Sequence, residues 1–372
     1  MARIESLNVL LDPSGKDFLA ELYGKVIENI QKNTISSALK NQDLSGQPTS
    51  GSVEAKRFAN AQSKDYGTAR AAGKGNAVKA KPVTVQIDQD KEIVEELEEK
   101  DIMLYGVDGV MTRRSSNHVL TMTRELERAF FQEAVSAGSQ FTTEETEVDS
   151  ILEAAIQQIE TTRNDYVDGV PRDMIAVVAT PNFYGKVRKF LDDTVHNANV
   201  DTAAAEFYTF HGVSVQSSVY LPDGVDFVVM VRGAVAQPVL PRPYTAEKIP
   251  LSEAFAVELF FYYGTKAVMP DLILYKPVDA LGALTVTSAA GASSGTTKIT
   301  VTPPKAGSRS YVYKTGASVT APTYDQNLSS GWTAWDGTSD ITATTGNKIG
   351  IAEVDTDKKC KKYGEATVTS AA

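Results

Sequence analysis

Apolar positions in the first 280 residues follow two spacings. Phe18, Leu22, Val26 and Ile30 recur every four residues after Ser14, the stripe of an amphipathic helix. The same spacing returns at Val119, Met122, Leu126 and Phe130, which predicts a long helix starting near Ser115 or Ser116 and ending at Gly138. A third stripe joins Val148, Ile151, Leu152, Ala155, Ile156 and Ile159. Met174-Ile175-Ala176-Val177-Val178-Ala179 is instead a short continuous apolar run, the mark of a buried strand. Thr180-Pro181 then supplies an N-cap and first turn for a helix ending near Val195. Gly212 to Tyr220, the turn Leu221-Pro222-Asp223-Gly224 and Val225 to Val231 predict a hairpin, and Ala254 to Tyr263 a long aromatic strand. Helices and strands mix without a strand–helix–strand rhythm, so this part is expected to be α+β.

Past residue 284 the pattern changes to period two. Leu284-Thr285-Val286-Thr287, Lys298-Ile299-Thr300-Val301-Thr302 and Ser310-Tyr311-Val312-Tyr313-Lys314 alternate bulky and polar residues, as do Lys348 to Val354 and Ala366 to Thr369. Turn clusters at Pro303-Pro304-Lys305-Ala306-Gly307, Asp336-Gly337 and Gly346-Asn347 separate them. Short strands with frequent turns predict an all-β sandwich of immunoglobulin-like type over 284–372, with Trp332 or Trp335 as its large core residue. Composition agrees. Residues 285–372 hold 17 Thr and 10 Ser but one Leu, and carry a net charge of +2 against −12 for the first 284.

Charge adds a second shift inside the first part. Residues 54–81 carry seven cations, Lys56, Arg57, Lys64, Arg70, Lys74, Lys79 and Lys81, against two acids, with few apolar residues. Residues 86–101 carry eight acids against two lysines, among them Glu95, Glu96, Glu98 and Glu99. A segment this poor in apolar side chains cannot build a core of its own.

Catalytic material is sparse. The single Cys360 excludes an intrachain disulfide framework and a cysteine zinc cluster. Gly73-Lys74-Gly75-Asn76 lacks the spacing and hydroxyl of a phosphate-binding loop, and no nucleophile elbow or zinc-binding helix motif is present. Asp192, Asp193 and His196 fall within one helical turn but have no nucleophile near in sequence. Asp355 and Asp357 are followed by Lys358-Lys359, which opposes a cation. Asn327-Leu328-Ser329 fits a glycosylation acceptor but stands alone. No enzyme, cofactor or metal site is expected. Residues 1–7 carry no apolar stretch of signal-peptide length and no run suits a membrane span, so a soluble protein made in a reducing compartment is expected.

The order of elements resembles the major capsid proteins of tailed bacteriophages, the family with the HK97-type fold. The resemblance is carried by Ile175-Ala176-Val177-Val178-Ala179-Thr180-Pro181-Asn182-Phe183-Tyr184, by Gly212 to Met230, and by Phe260-Phe261-Tyr262-Tyr263-Gly264-Thr265-Lys266-Ala267-Val268 with Pro270-Asp271-Leu272-Ile273. It covers about residues 1–283 and rests on order, with Tyr263-Gly264 matching a turn typical of the family. It implies an N-arm at 1–51, an extended loop at 52–85, a peripheral and spine region at 86–140 and 252–283, and an axial region at 141–251. The tail at 284–372 is similar to the immunoglobulin-like domains that decorate some such shells.

The resemblance further implies a virion coat protein, assembled in the bacterial host cytoplasm. It would join copies of itself as hexamers and pentamers of a lattice around double-stranded DNA, which it would bind without sequence specificity. A scaffolding protein and a portal are the further partners it allows, and whether a separate scaffold is needed stays open at this point. The basic loop would lie over a neighbouring subunit, making its seven cations and Glu95, Glu96, Glu98 and Glu99 the candidate intersubunit residues. A formal net charge of −10 suits a container that must not grip phosphates. The tail would present Ser- and Thr-rich loops for weak contact with host-surface glycans. Two other readings are an encapsulin-like compartment shell and a tail or cell-surface adhesin using the sandwich.

Overall fold

The computed structural model describes residues 6–61, 63–143, 145, 147–193 and 209–372. The chain forms two units, Met1–Pro277 and Val278–Ala372. The division precedes the expected 283/284 boundary. Gly282–Ala283 already pairs in parallel with Lys362 and Tyr363 of the last strand, and Leu281 packs in a cluster of the second unit. The tail's fold therefore starts before its composition changes.

In the first unit the helix Pro13–Asn33 buries Leu19, Leu22, Val26 and Ile30 in the same cluster as Met111, Met122 and Leu126 of the helix Gly106–Ala137. That long helix extends about 48 Å and begins nine residues before the expected Ser115. The Ser115 and Ser116 hydroxyls do not cap it. They donate to the Thr112 carbonyl at 2.8 and 3.2 Å, a back-bond inside the helix. Val107 and Met111 continue the apolar stripe upstream.

The aromatic strand Phe255–Tyr263 buries every second residue, as a half-covered strand should. Gln89–Leu97 pairs along one edge from end to end, and Val239–Pro241 and Thr245–Lys248 share the other. Its inner face, Phe255, Val257, Leu259, Phe261 and Tyr263, packs in the long helix's cluster.

A six-stranded sheet forms the other half of the unit, in the order Ser139–Gln140, Ile273–Pro277, Val225–Val231, Ile175–Ala179, Val213–Ser217, Thr209–Phe210. The expected hairpin between Val213–Ser217 and Val225–Val231 is corrected. Ile175–Ala179 lies between them, parallel to the first and antiparallel to the second. Val225–Val231 is buried at all seven positions, so it needs partners on both edges, and Ile175–Ala179 and Ile273–Pro277 supply them. The tight hairpin is Thr209–Phe210 with Val213–Ser217, turning through His211 and Gly212 at φ 46° and 87°, the signature of a primed two-residue turn. The helix Pro181–Asp193 lies between parallel neighbours, so one strand–helix–strand unit is present where none was expected.

Val148–Glu160 covers one face of this sheet and Phe130, Phe131 and Ala134 of the long helix cover the other, which explains the continuous apolar run at 175–179. Ile273–Pro277 belongs here, so the stretch 252–283 divides between the two halves of the unit after the turn Pro270–Leu272. Val195 and His196, with the side chains of Asp192 and Asp193, lie outside the described residues.

The second unit is a sandwich. One sheet joins Gly282–Ala283, Cys360–Thr367, Lys348–Val354, Ser310–Gly316 and Thr333–Trp335; the other joins Thr285–Ala290, Thr296–Thr302 and Ile341–Thr342. Trp335 is the core tryptophan, 5.7 Å from the Tyr311 ring, with its indole N–H donating to the Ser339 carbonyl at 2.8 Å. Trp332 instead meets Tyr363 edge-on at 6.3 Å, in a second cluster around Leu328, Val354 and Cys360. The larger sheet is thus covered on both faces. The expected mix of an α+β body and an all-β tail is what the chain adopts.

Candidate assembly interface

Ser52–Phe58 and Ala80–Gln86 pair antiparallel in continuous register, from Ser52 opposite Gln86 to Phe58 opposite Ala80. The alternation of the first strand puts Val53 and Ala55 inward, where they pack with Val85, Ala236 and Val268. Arg57 fixes the hairpin to the body. Its guanidinium donates to both Asp271 carboxylate oxygens at 2.5 and 2.9 Å and lies 4.8 Å over the Tyr166 ring. Asn164 donates to the same carboxylate at 2.6 Å. Burial raises the Asp271 pKa, but the Arg57 and Asn164 hydrogen bonds outweigh it and hold the carboxyl below its usual range. Arg57 therefore serves its own chain, tying the hairpin base to the body.

The backbone anchoring runs on to Asn60, whose N–H donates to the Asp165 carbonyl at 3.1 Å. Apart from one short helix, Thr68–Ala72, the described residues between the strands carry no regular element. Tyr66 is 99% exposed and Val78 84%, in a segment surrounded by lysine. Lys64 donates to Asn76 at 3.0 Å. Lys56, Arg70, Lys74, Lys79 and Lys81 are in no ion pair among the described residues. Lys64, Arg70 and Lys74 converge on a concavity of about 440 Å³ shared with Tyr66 and Asn76. Three of the seven predicted cations thus gather at one place, beside Asp65, and among the described residues no carboxylate of 86–101 pairs with them.

The acidic stretch divides by the alternation of its strand. Glu95 points toward the long helix, where Arg114 donates to both its oxygens, one at 2.7 Å, and His118 Nε2 lies 3.1 Å away. His118 Nδ1 is in turn 2.6 Å from the Tyr244 hydroxyl. Burial lowers the His118 pKa in spite of Glu95, while Arg114 and His118 overcome the burial of Glu95 and lower its own. Glu95 latches strand, long helix and the Tyr244 segment together. Glu98 caps the short helix Glu99–Ile102 and contacts Lys100.

Glu99 and Glu96 are exposed. Glu96, Glu92 and Asp90 share the outer sheet face with Glu258, Phe260 and Tyr262, since Glu96 lies opposite Ala256, Glu92 opposite Phe260 and Asp90 opposite Tyr262. Residues 271 and 164 of the Arg57 clamp had no signal in sequence, being separated from it by 214 and 107 positions. Asp355 is no cation site: its carboxylate accepts the Asp357 and Lys359 N–H groups and pairs with Lys361 at 3.4 Å. Asn327 closes its own turn, accepting from the Ser329 N–H at 2.9 Å.

A family model described as the S-layer protein SbsC C-terminal domain matches residues 289–371, within the second unit. No curated protein matches the chain in sequence. Among solved structures, the chain is similar to one from Mycobacterium phage Che8, at 17% identity and TM-score 0.48, covering 66% of this chain and 91% of that one. It is also similar to the capsid structure of cyanophage P-SCSP1u, at 13% identity and TM-score 0.47, covering 66% and 88%. A virus-like particle from Pyrococcus furiosus is similar at 11% identity and TM-score 0.44, covering 70% and 98%. Among the described residues no helix is long and apolar enough to cross a membrane.

Proposed function

We propose that this chain is the coat protein of a tailed phage, a structural subunit that closes into an icosahedral shell around double-stranded DNA and acts in the virion. The observation that carries the reading is the hairpin. Its base is anchored by Arg57 and Asp271, while its distal part exposes Tyr66 and Val78 among cations that have no carboxylate partner among the described residues. An arm of this kind is a liability in a lone molecule, since exposed apolar side chains and like charges lower its stability and solubility. In a lattice each arm finds a complementary surface on a neighbour, and charge complementarity fixes its register. The element order of N-arm, paired excursion, long helix and compact sheet supports the same reading. The acidic total of −10 suits a wall along which DNA moves without being held. The sandwich, in this reading, is a decorating domain whose Ser- and Thr-rich loops contact host-surface glycans weakly.

Negative-stain microscopy with light scattering on the purified chain tests the proposal. Closed shells of uniform diameter are expected. Isolated monomers under all assembly conditions would overturn it.

A further inference from the structure

Thr245–Lys248 and Phe255–Tyr263 are joined by Ile249-Pro250-Leu251-Ser252-Glu253-Ala254, a loop held rigid by its own hydrogen bonds. The Ser252 N–H donates to the Ile249 carbonyl at 3.2 Å, the Ile249 N–H to Ala254 at 3.0 Å, and the Ala254 N–H to the Ser252 hydroxyl at 3.1 Å. Pro250 takes the first central position of the turn, and Leu251 the second with φ 61°. Proline followed by a positive φ is the type II pattern, whose second position ordinarily takes glycine or asparagine because Cβ is crowded there. Here it is a leucine, and it is 110% exposed. One residue thus combines an unfavourable backbone conformation with full exposure of an apolar side chain, and nothing among the described residues offsets either.

A matching recess lies elsewhere on the same unit. A groove of about 510 Å³ runs between the Pro13–Asn33 helix, the long helix and Val239–Pro241, with Ile27, Met122, Leu126 and Val239 among its apolar lining. Lys40 also lines it, half-buried and in no ion pair among the described residues; burial lowers its pKa. A recess that joins apolar side chains to Gln31, Asn41, Gln42 and one unneutralised ammonium suits an apolar side chain accompanied by a carboxylate. Glu253, two residues from Leu251, is exposed and likewise in no ion pair among the described residues.

The loop cannot reach its own groove. Val239 pairs with Tyr263, at the far end of the strand that the loop enters at Phe255. Eight residues of strand separate the two by about 26 Å. We infer that Leu251 of one copy seats in this groove of a second copy, with Glu253 facing Lys40. Knob and recess are distinct patches, so a contact in which each copy gives its knob to the next is head-to-tail and repeats around a ring or lattice. The inference rests on the shell reading and adds a contact that does not involve the basic hairpin.

The test is the critical concentration for assembly of the full chain, with thermal unfolding measured alongside. Leu251→Gly relieves the turn and removes the exposed side chain, so the unfolding temperature should hold or rise while the critical concentration rises at least tenfold. Lys40→Glu and Glu253→Lys should each raise it as well, and the double variant should restore it. Wild-type critical concentrations in Leu251→Gly and in both single charge variants would overturn the docking and leave the shell reading intact. Failure of the wild-type chain to assemble at all would overturn both. Single charge variants that are impaired but not rescued by the swap would overturn the Lys40–Glu253 pairing.

Discussion

The second unit and the basic hairpin of the first handle charge in opposite ways. In the sandwich, Glu353 is fully buried and has Arg309 at 3.0 Å and Lys362 at 3.3 Å, and Lys361 has Asp355 and Asp325. Its larger sheet is covered on both faces, so the lone Cys360 is buried. In the hairpin, Arg57 at the base is the one cation in an ion pair among the described residues, and the cations beyond it face water. A unit whose buried charges and sheet faces are answered internally has the contacts of a body that stands as one copy. A unit that keeps an unanswered arm leaves that arm's apolar and cationic groups to whatever covers it. In the proposed reading the same chain therefore contains a closed body and a tile.

The strongest way to break the contrast is to invert the arm's charge. Replacing Lys56, Lys64, Arg70 and Lys74 by Glu should raise the critical concentration for assembly more than 100-fold, read by light scattering. The monomer's unfolding free energy should change by less than about 0.5 kcal/mol per site, as for exposed substitutions. Arg57 is left out because its loss would damage the fold. In the sandwich the sensitive group is Glu353. Changing it to Leu should destabilise the second unit by about 3 kcal/mol in denaturant unfolding, since it strands two cations around a buried site, while particle yield stays unchanged.

A smaller effect is expected at the hairpin base. Arg57→Ala should cost about 1–2 kcal/mol, the charged hydrogen bonds being partly open to solvent, and should speed amide exchange in Ser52–Phe58 and Ala80–Gln86. Wild-type exchange rates there would show that the clamp does not hold the hairpin.

Much of this contrast was legible before any coordinates. The stripes at 18–30 and 148–159 became helices because each has one apolar face against one partner layer, and period alone records that. The basic excursion was equally visible as cations without a core. What stayed hidden depends on partners distant in sequence. Val213–Ser217 and Val225–Val231 look like a hairpin locally, but Ile175–Ala179 separates them, and no local spacing announces an inserted strand. Ser115 and Ser116 resemble caps until their hydroxyls are seen to bond Thr112. Arg57 and Glu95 belonged to charge runs by composition, yet strand alternation and the positions of Asp271, Arg114 and His118 turned both inward.

Acid should loosen the first unit before its core yields. Hydrogen bonds from Arg172, then from His211 and Gln157, outweigh the burial of Glu153 and depress its pKa from 4.5 to about 2. A depressed carboxyl stabilises the fold fully above its ordinary value and loses that contribution as pH falls through the folded one. Stability contributed by this cluster should therefore decline between pH 4.5 and about 2, and Glu153→Gln should flatten that part of the profile in urea titrations. The least intrusive probe is Cys360, whose thiol burial pushes up to about 11. It should resist thiol reagents in the native chain and react at once in denaturant; rapid native labelling would mean that the sandwich is less closed than its packing indicates.

Hydrogen exchange on the same chain, before and after assembly, tests the central claim most directly. In the monomer the amides between Asn60 and Lys79 should exchange quickly, and in the closed shell they should slow by two orders of magnitude or more, while those of the sandwich core change little. A monomer whose arm is already protected, and gains nothing when copies are concentrated, would contradict the account.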